Sequence, residues 1–289
     1  MQSTSQVKVE IAGVTMYGDR TTGWGIIDLL DWGDGADSRG DEDLIPGVDG
    51  LFPPDAPLVN GLRFTVVGEY VTTSPQQATA GRDWLRSLSK LDPLPVRVLE
   101  GARWDALRFA RVDGRVHTEI DHALGGRRVS FEIPIRTADP RKYGPLRPIE
   151  IDAVAQTSGG LRFPIVEGAL DFATEGLTAF PGVFKIENPG TAEFYPERFA
   201  IRGPLAGFTI TSEQATVEYD GSLGSGDVLV LTPYAGGRAT LNGADVSHNL
   251  IRADWVAVQP GETRGYLFTP SDPQPGAKLT VEYPEGAWW

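Results

Sequence analysis

Residues 128–148, which read RVSFEIPIRTADPRKYGPLRP, decide both the fold class and the division of the chain. Over the first eight of these residues, apolar side chains alternate with other residues at the period of a half-buried strand. From residue 137 onwards, prolines, a glycine and basic residues interrupt that pattern, as they do in a short connector between domains. The stretch therefore predicts a β-strand that is followed by a domain boundary.

Strand-like runs occur along the whole chain, on both sides of this stretch. The 35 glycines and 22 prolines show no collagen-like repeat, and this content is typical of many short strands joined by tight turns. The sequence therefore predicts a mainly β fold. The predicted strands are 6–13, 62–71, 96–99, 107–112, 128–135, 149–155, 183–187, 199–203, 207–212, 215–219, 227–232, 238–242, 265–269 and 278–283.

The length of 289 residues exceeds that of a typical single domain, so we expect two. Residues 1–143 are predicted to form an N-terminal β domain with one helix, and residues 144–289 a C-terminal β-sandwich. No repeat of fixed period relates the halves, which disfavours a solenoid or a propeller.

One segment breaks the strand pattern and predicts a helix over residues 75–91. Ser74 is a suitable N-cap, Pro75 suits the first helical position, and Gln77 completes a capping box. The helix is expected to pack on a sheet through a stripe that contains Trp84. The other members of this predicted stripe are Ala80, Leu85, Leu88 and Leu91.

Four dipeptides read as hairpin turns, because each lies between strand-like runs and both residues tolerate a positive φ. They are Asn60-Gly61, Asp113-Gly114, Asp220-Gly221 and Asn242-Gly243.

An excess of acidic residues and an absence of cysteine exclude several classes of function. Lys and Arg number 26 against 39 Asp and Glu, so the formal net charge is −13. Phosphate backbones and anionic lipid surfaces repel such a chain on average, so we expect neither sequence-specific nucleic-acid binding nor membrane insertion. Without cysteine there is no disulfide, no thiolate metal site and no cysteine nucleophile.

The first ten residues do not resemble a signal peptide and no apolar run reaches the length of a membrane span, which predicts a soluble protein made in the cytosol.

The acidic residues concentrate between Asp28 and Asp55. This segment contains nine acidic residues and a single basic residue, Arg39, so it carries eight of the 13 net negative charges. Like charges repel one another and resist compact packing, which predicts a long solvated loop. Calcium binding is the alternative, but the carboxylates lack the ligand spacing of an EF-hand loop.

The remaining polar residues give no signature of catalysis or metal binding. In a strand, His117 would share a face with Glu119 and Asp121, whereas His122 would point away, so a metal would need ligands from elsewhere in the chain. The motifs HExxH, GxSxG, Walker A and GxGxxG are absent from the sequence. We therefore predict no catalytic residue, no metal and no cofactor. The paired carboxylates of a glycosidase are usually distant in sequence and leave no local pattern.

Two large aromatic residues, Trp288 and Trp289, end the sequence directly after a predicted strand. Chain ends fray, so this placement is unusual. Either the final strand packs into its own core or the pair is buried against a neighbouring subunit. In both cases the end is ordered, and the pair is our candidate interface.

Several motifs occur in an order that is found in one family. Over nearly its whole length the chain resembles the distal tail proteins, often labelled minor tail proteins, of long-tailed phages that infect actinobacteria. The motifs are a strand with Trp24, Asp49-Gly50, the helix with Trp84, TADPRKYG at 137–144, NPGTAEFYPERFAIRGP at 188–204, TLNG at 240–243, Trp255 before PGE at 260–262, and the closing pair.

This resemblance implies an N-terminal domain related to the tail-tube fold, in the form of a β-barrel or sandwich, and a C-terminal sandwich of galectin-like shape. It also implies a hexameric ring at the distal end of the phage tail, with the tail-tube protein and tail-tip or tail-associated proteins as partners. The expected location is the virion, after synthesis and assembly in the host cytoplasm. Galectin-like shape does not bring sugar binding with it, because function depends on the site, and the galectin histidine-asparagine-arginine cluster is not visible around Asn188 or His248.

The expected function is that of a structural virion protein without enzymatic activity, a hub or adaptor between the tail tube and the adsorption apparatus. The alternative is a carbohydrate-binding sandwich that recognises host cell-wall glycans. A wall-degrading glycosidase is the third hypothesis.

Overall fold

The computed structural model describes residues 7–18, 23–39, 58–153, 182–234 and 236–289. Within these ranges the chain is mainly β with one α-helix, which confirms the predicted fold class. None of the described helical residues form a helix long and apolar enough to cross a membrane. The chain divides into two compact units, Met1–Pro145 together with Trp288–Trp289, and Leu146–Ala287. The boundary predicted after residue 143 lies two residues before this division, and the closing aromatic pair groups with the first unit.

The first unit is built around one large sheet. Its strands follow the order β10-β11-β6-β3-β2-β1-β7-β8-β12-β24, with β9 paired to β11 beside this path, and β4 and β5 form a separate pair. From β10 to β12 the neighbours in the large sheet are antiparallel except β2 and β3, which meet in parallel at one position. The strands are β1 (Lys8–Ile11), β2 (Val14–Tyr17), β3 (Trp24–Leu30), β4 (Ser38–Arg39), β5 (Leu58–Val59), β6 (Arg63–Val71), β7 (Val96–Glu100), β8 (Arg103–Leu107), β9 (Ala110–Val112), β10 (His117–Ile120), β11 (Arg128–Thr137), β12 (Lys142–Tyr143) and the last strand of the chain, β24 (Ala287–Trp288).

The helix of this unit, α1, covers Pro75–Ser87 and continues as a 3₁₀ turn at Leu88–Lys90, close to the predicted end. The predicted N-cap is confirmed, because the Ser74 hydroxyl accepts a hydrogen bond from the Gln77 backbone N–H (3.3 Å). The capping box is only half formed, since the Gln77 side chain accepts a hydrogen bond from the Thr73 hydroxyl instead (3.0 Å).

The buried stripe of α1 differs from the predicted one. Leu85 and Leu88 are buried as predicted, together with Ala78 and Gly81. The other predicted members are not buried: Ala80 and Leu91 are exposed and Trp84 is half-buried. Trp84 contacts Trp24 edge to face, with ring centroids 4.9 Å apart, and Trp24 stacks on Tyr70 at 3.9 Å. The missing side chain at Gly81 lets the Tyr70 ring lie directly against the helix, so the stripe includes a residue with no hydrophobic signal.

The second unit is a β-sandwich of two antiparallel sheets, with the orders β13-β23-β15-β18-β19-β20 and β14-β22-β16-β17-β21. Phe199 of the first sheet faces Tyr266 of the second at 6.4 Å between ring centroids, so the core lies between the sheets. Its strands are β13 (Leu146–Asp152), β14 (Val183–Glu187), β15 (Arg198–Arg202), β16 (Gly207–Thr211), β17 (Thr216–Tyr219), β18 (Val228–Thr232), β19 (Arg238–Leu241), β20 (Ala244–Asp245), β21 (Leu250–Ala253), β22 (Thr263–Ser271) and β23 (Lys278–Pro284).

One of the four hairpin predictions is confirmed. Asn242 and Gly243 have φ values of 49° and 88° and join β19 to its partner β20. The predictions at Asn60-Gly61, Asp113-Gly114 and Asp220-Gly221 are wrong, because the strands on either side of each dipeptide pair with other strands. Both β9 and β10 pair with β11, for example, and β17 and β18 belong to different sheets.

The strand predicted over 107–112 is interrupted. Strand β8 ends at Leu107 and β9 begins at Ala110, because Phe109 has a φ of 53° and turns the backbone between them. The strand-like pattern of apolar residues continues through this break, so the sequence did not predict the turn.

Candidate functional site

Residues 139–143, predicted to be part of a connector, form a buried polar cluster in the first unit. The Asp139 carboxylate is buried and accepts hydrogen bonds from the Tyr143 hydroxyl (2.6 Å) and the Arg141 Nε (2.8 Å). The Arg108 guanidinium lies over the Tyr143 ring, 3.9 Å from its centroid. Burial raises the pKa of Tyr143 far above its usual value. Asp139 thus fixes the segment through charge-assisted hydrogen bonds.

Lys142 ties this segment to the start of the acidic stretch. Its ammonium donates a hydrogen bond to the Trp32 carbonyl (3.1 Å) and lies 4.1 Å from the centroid of the Trp32 ring. The Trp32 indole N–H in turn donates to Glu100 (3.1 Å). Burial lowers the pKa of Lys142, while the charges of Asp105 and Glu100 act in the opposite direction. The contacts hold Trp32, which lies inside the segment predicted to be solvated, in a buried position.

The C-terminal strand completes this edge of the sheet. Arg103 donates two hydrogen bonds to the fully buried Asp105 carboxylate (2.6 and 3.0 Å). The same guanidinium stacks on the Trp288 ring at 3.9 Å from its centroid. Because β24 follows β12 at the edge of the large sheet, Trp288 is held by both its backbone and its ring.

The two candidate interface residues differ in exposure. Trp288 is half-buried, whereas 54% of Trp289 is exposed to solvent. The described end is therefore partly packed in its own fold and partly presents a large aromatic surface.

The other residues considered from the sequence do not converge. His117 lies in β10 and His122 in a 3₁₀ turn, both exposed, and His248 lies in the second unit. Among the described residues no three His, Asp or Glu side chains are grouped so that they could hold a metal. Of the acidic segment the structure describes residues 28–39; Asp41 to Asp55, and with them Asp49-Gly50, lie outside the described residues.

In the second unit, residues of the motifs at 188–204 and 260–262 stabilise loops through hydrogen bonds. The buried Asn188 amide donates to the carbonyls of Ala192 (2.8 Å) and Val258 (3.0 Å) and accepts from the Gly190 N–H (3.0 Å). Glu262 accepts from Arg264 (2.7 Å), a contact that lowers the pKa of Glu262. These motif residues satisfy backbone and side-chain groups inside the unit.

Sequence reasoning missed Trp32, Arg103 and Asp105 as members of the polar cluster. They lie some 35 to 110 positions before residues 139–143, and nothing local marks a residue whose partner is so distant. The only available signal was the density of aromatic and basic residues around the predicted connector.

Comparison with solved structures finds the same architecture over the full chain. The Dit protein of phage SPP1, described as a paradigm of the hub adsorption apparatus in phages that infect Gram-positive hosts, matches with a TM-score of 0.60 at 12% identity. The match covers 98% of this chain and 99% of the Dit chain. The chain has the Dit fold.

Two further matches come from the phage P2 baseplate in its activated conformation, one with calcium and one with strontium. Both have a TM-score of 0.51 and cover 97% of this chain and 98% of the baseplate chain, at 9% and 8% identity. No protein-family model and no curated protein matches the sequence. The resemblance to distal tail proteins is thus confirmed at the level of the fold.

Proposed function

We propose that this protein is a structural component of a phage tail, a hub ring that connects the tail tube to the tail tip or receptor-binding apparatus. The observation that carries the proposal is the match to the SPP1 Dit protein across both units, with 98% and 99% of the two chains covered. A single shared domain would support only one half of such a hub, whereas a match of both units supports the whole architecture.

The side chains of the described residues are consistent with this role. The charged groups around residues 139–143 are paired with one another and with tryptophans, so they hold strands together. We propose six copies per ring, a number that comes from the resemblance to distal tail proteins. Closed cyclic symmetry satisfies one heterologous interface repeatedly, which suits a ring around a channel.

Mass photometry and electron microscopy of the purified protein test the proposal. We expect a closed six-membered ring, either of the protein alone or after mixing with its tail-tube or tail-tip partner. A protein that stays monomeric under both conditions, or virions that carry a single copy per tail, would contradict it.

The terminal tryptophans provide a sharper test, because their exposure differs. Trp289→Ala is expected to weaken ring formation and leave the free energy of unfolding unchanged to within about 0.5 kcal/mol. Trp288→Ala is expected to lower that free energy by about 2 kcal/mol, since it removes a packed ring and its cation–π contact. Ile251→Ala, at another strongly exposed apolar residue, is the matched control for assembly. If Trp289→Ala and Ile251→Ala assemble equally well, the pair is not the interface.

The carbohydrate-binding hypothesis gains less support. Sugar rings stack on exposed aromatic side chains, but the large exposed hydrophobic residues described in the second unit are aliphatic: Leu146, Val183, Ile251 and Leu267. A glycan array with the intact protein distinguishes the two proposals, because a tail hub needs no glycan ligand.

A further inference from the structure

Three arginines lie side by side across three neighbouring strands of the first unit. Arg136 of β11 is directly opposite Arg63 of β6 on one side and Arg111 of β9 on the other. Residues that are directly opposite one another share a face of the sheet, and neighbouring strands are about 4.8 Å apart. The three side chains therefore start from a row about 10 Å long. We refer to Arg63, Arg111 and Arg136 as the arginine row.

Fold stability does not explain this arrangement. Like charges directly opposite in a sheet are destabilising, and here the central arginine has one on each side. Asp113 compensates in part, but its carboxylate lies 3.7 Å from the Arg63 Nε and 3.5 Å from the Arg136 Nε. The Arg136 Nε is buried without a hydrogen-bond partner, and the described residues give Arg111 no ion pair.

The arginine row lines one open cavity. Asp37, Asn60 and Thr137 contribute the other polar side chains of its lining. The Thr137 hydroxyl already donates to the Asp139 carbonyl (2.5 Å). Each guanidinium carries five N–H donors, so the cavity has many more donors than acceptors. The three arginines and the two nearby aspartates, Asp37 and Asp113, together carry a net charge of +1. The whole chain, in contrast, has a net charge of −13.

We propose that the arginine row binds a phosphate group of a small ligand. Arginine forks bind phosphate and carboxylate oxygens in pairs, and the tetrahedral phosphate offers oxygens in several directions, so it can accept from all three guanidinium groups at once. A planar carboxylate can satisfy fewer of them. The ligand is small because the net negative charge repels a long polyanion. This inference does not rest on the ring proposal, since it is argued only from the pairing and contacts of these residues.

Binding of inorganic phosphate by the full chain, measured by titration calorimetry at constant ionic strength, tests the proposal. We expect saturable binding with one site per chain. Arg111→Gln and Arg63→Gln are each expected to weaken it by about tenfold, because each removes charged hydrogen-bond donors. Both residues are exposed, so the variants are expected to fold, and their thermal melts check this.

Arg238→Gln is the matched control. Arg238 is 74% exposed on its side chain and pairs with one aspartate at 3.9 Å, much as Arg63 is 70% exposed and pairs at 3.7 Å. Its replacement is expected to leave phosphate binding unchanged. Equal weakening in Arg238→Gln, or an absence of saturable binding in the unchanged protein, would overturn the proposal.

Two further experiments define the chemical class of the ligand and the position of the binding site. Diethyl phosphate in place of inorganic phosphate distinguishes a phosphodiester from a terminal phosphate, and binding of either one supports the site. Acetate that binds as tightly as phosphate would overturn the assignment to phosphate. A second open cavity contains Arg86 and Arg115, so binding that is lost in Arg86→Gln but kept in Arg63→Gln would also refute the arginine row.

Discussion

At the scale of single residues, Asp139 shows how a buried charge can hold a connecting segment. Its carboxylate accepts hydrogen bonds from the Tyr143 hydroxyl and from the side chain and backbone of Arg141. Removal of one partner from a buried charge pair leaves the other charge unpaired, and this costs several kcal/mol.

Asp139→Asn is therefore expected to lower the free energy of unfolding by about 3 kcal/mol, measured by urea denaturation. Asp254→Asn is the control, because Asp254 makes an ion pair with Arg252 that is exposed on both sides. Its replacement is expected to change stability by no more than about 1 kcal/mol. Equal losses in the two variants would contradict the role of Asp139.

Tyr266 gives a prediction for alkaline pH. Burial raises its pKa to about 12, compared with about 10 in an unfolded chain. Because the folded state keeps this proton more tightly, the contribution to stability is complete below pH 10 and is lost as the pH rises towards 12.

The comparison of unchanged protein with Tyr266→Phe isolates this effect. From pH 8 to pH 11, the free energy of unfolding of the unchanged protein is expected to fall by about 1.4 kcal/mol more than that of the variant. Urea midpoints at the two pH values measure the difference. Parallel pH profiles would show that Tyr266 does not titrate as its burial requires.

At the scale of elements, the sequence predicted correctly those features that depend only on neighbouring residues. The cap at Ser74 and the Asn242-Gly243 turn were found because each is complete within a few residues. The other three turn dipeptides misled because the strands beside them pair with distant partners, which a single sequence does not reveal. The buried stripe of α1 was predicted only in part, at Leu85 and Leu88, for a related reason: the face of the helix also depends on the Tyr70 ring that approaches Gly81.

Gly81→Ala tests this packing, because two effects oppose each other. Alanine favours a helix over glycine by about 1 kcal/mol. However, a Cβ at this position would lie 2.5 Å from two atoms of the Tyr70 ring, which is stacked between the helix and Trp24. We expect a net loss of about 1–3 kcal/mol in the free energy of unfolding. Gln76→Ala, on the exposed face, is the control and should be neutral or slightly stabilising; a stabilised Gly81→Ala would show that the ring moves aside.

At the scale of the whole molecule, the mainly β class followed from the strand pattern, and the domain boundary predicted at the proline-rich stretch lies two residues before the division into two units. The grouping of Trp288–Trp289 with the first unit did not follow from either feature. That grouping depends on Arg103 and on pairing at a sheet edge, and both partners are more than 140 residues away in sequence. Residues 139–141 lie between β11 and β12, as the predicted connector requires, but Lys142 and Tyr143 form β12, so the prediction of an unpaired connector is wrong there. The pairing of β12 with β8 and the burial of this segment depend on partners that are distant in sequence.

The second unit is expected to fold alone. Both of its sheets are complete within Leu146–Ala287, and about 140 residues is a usual domain size. Trp255 is the only tryptophan of this fragment and packs against Phe199 at 5.6 Å between ring centroids, so its fluorescence reports the core. We expect a soluble fragment with a cooperative melt. A fragment that ends at residue 277 lacks β23, which lies between β13 and β15, and is the control that should not fold. If both fragments aggregate without a near-UV signal, the second unit is not an independent domain.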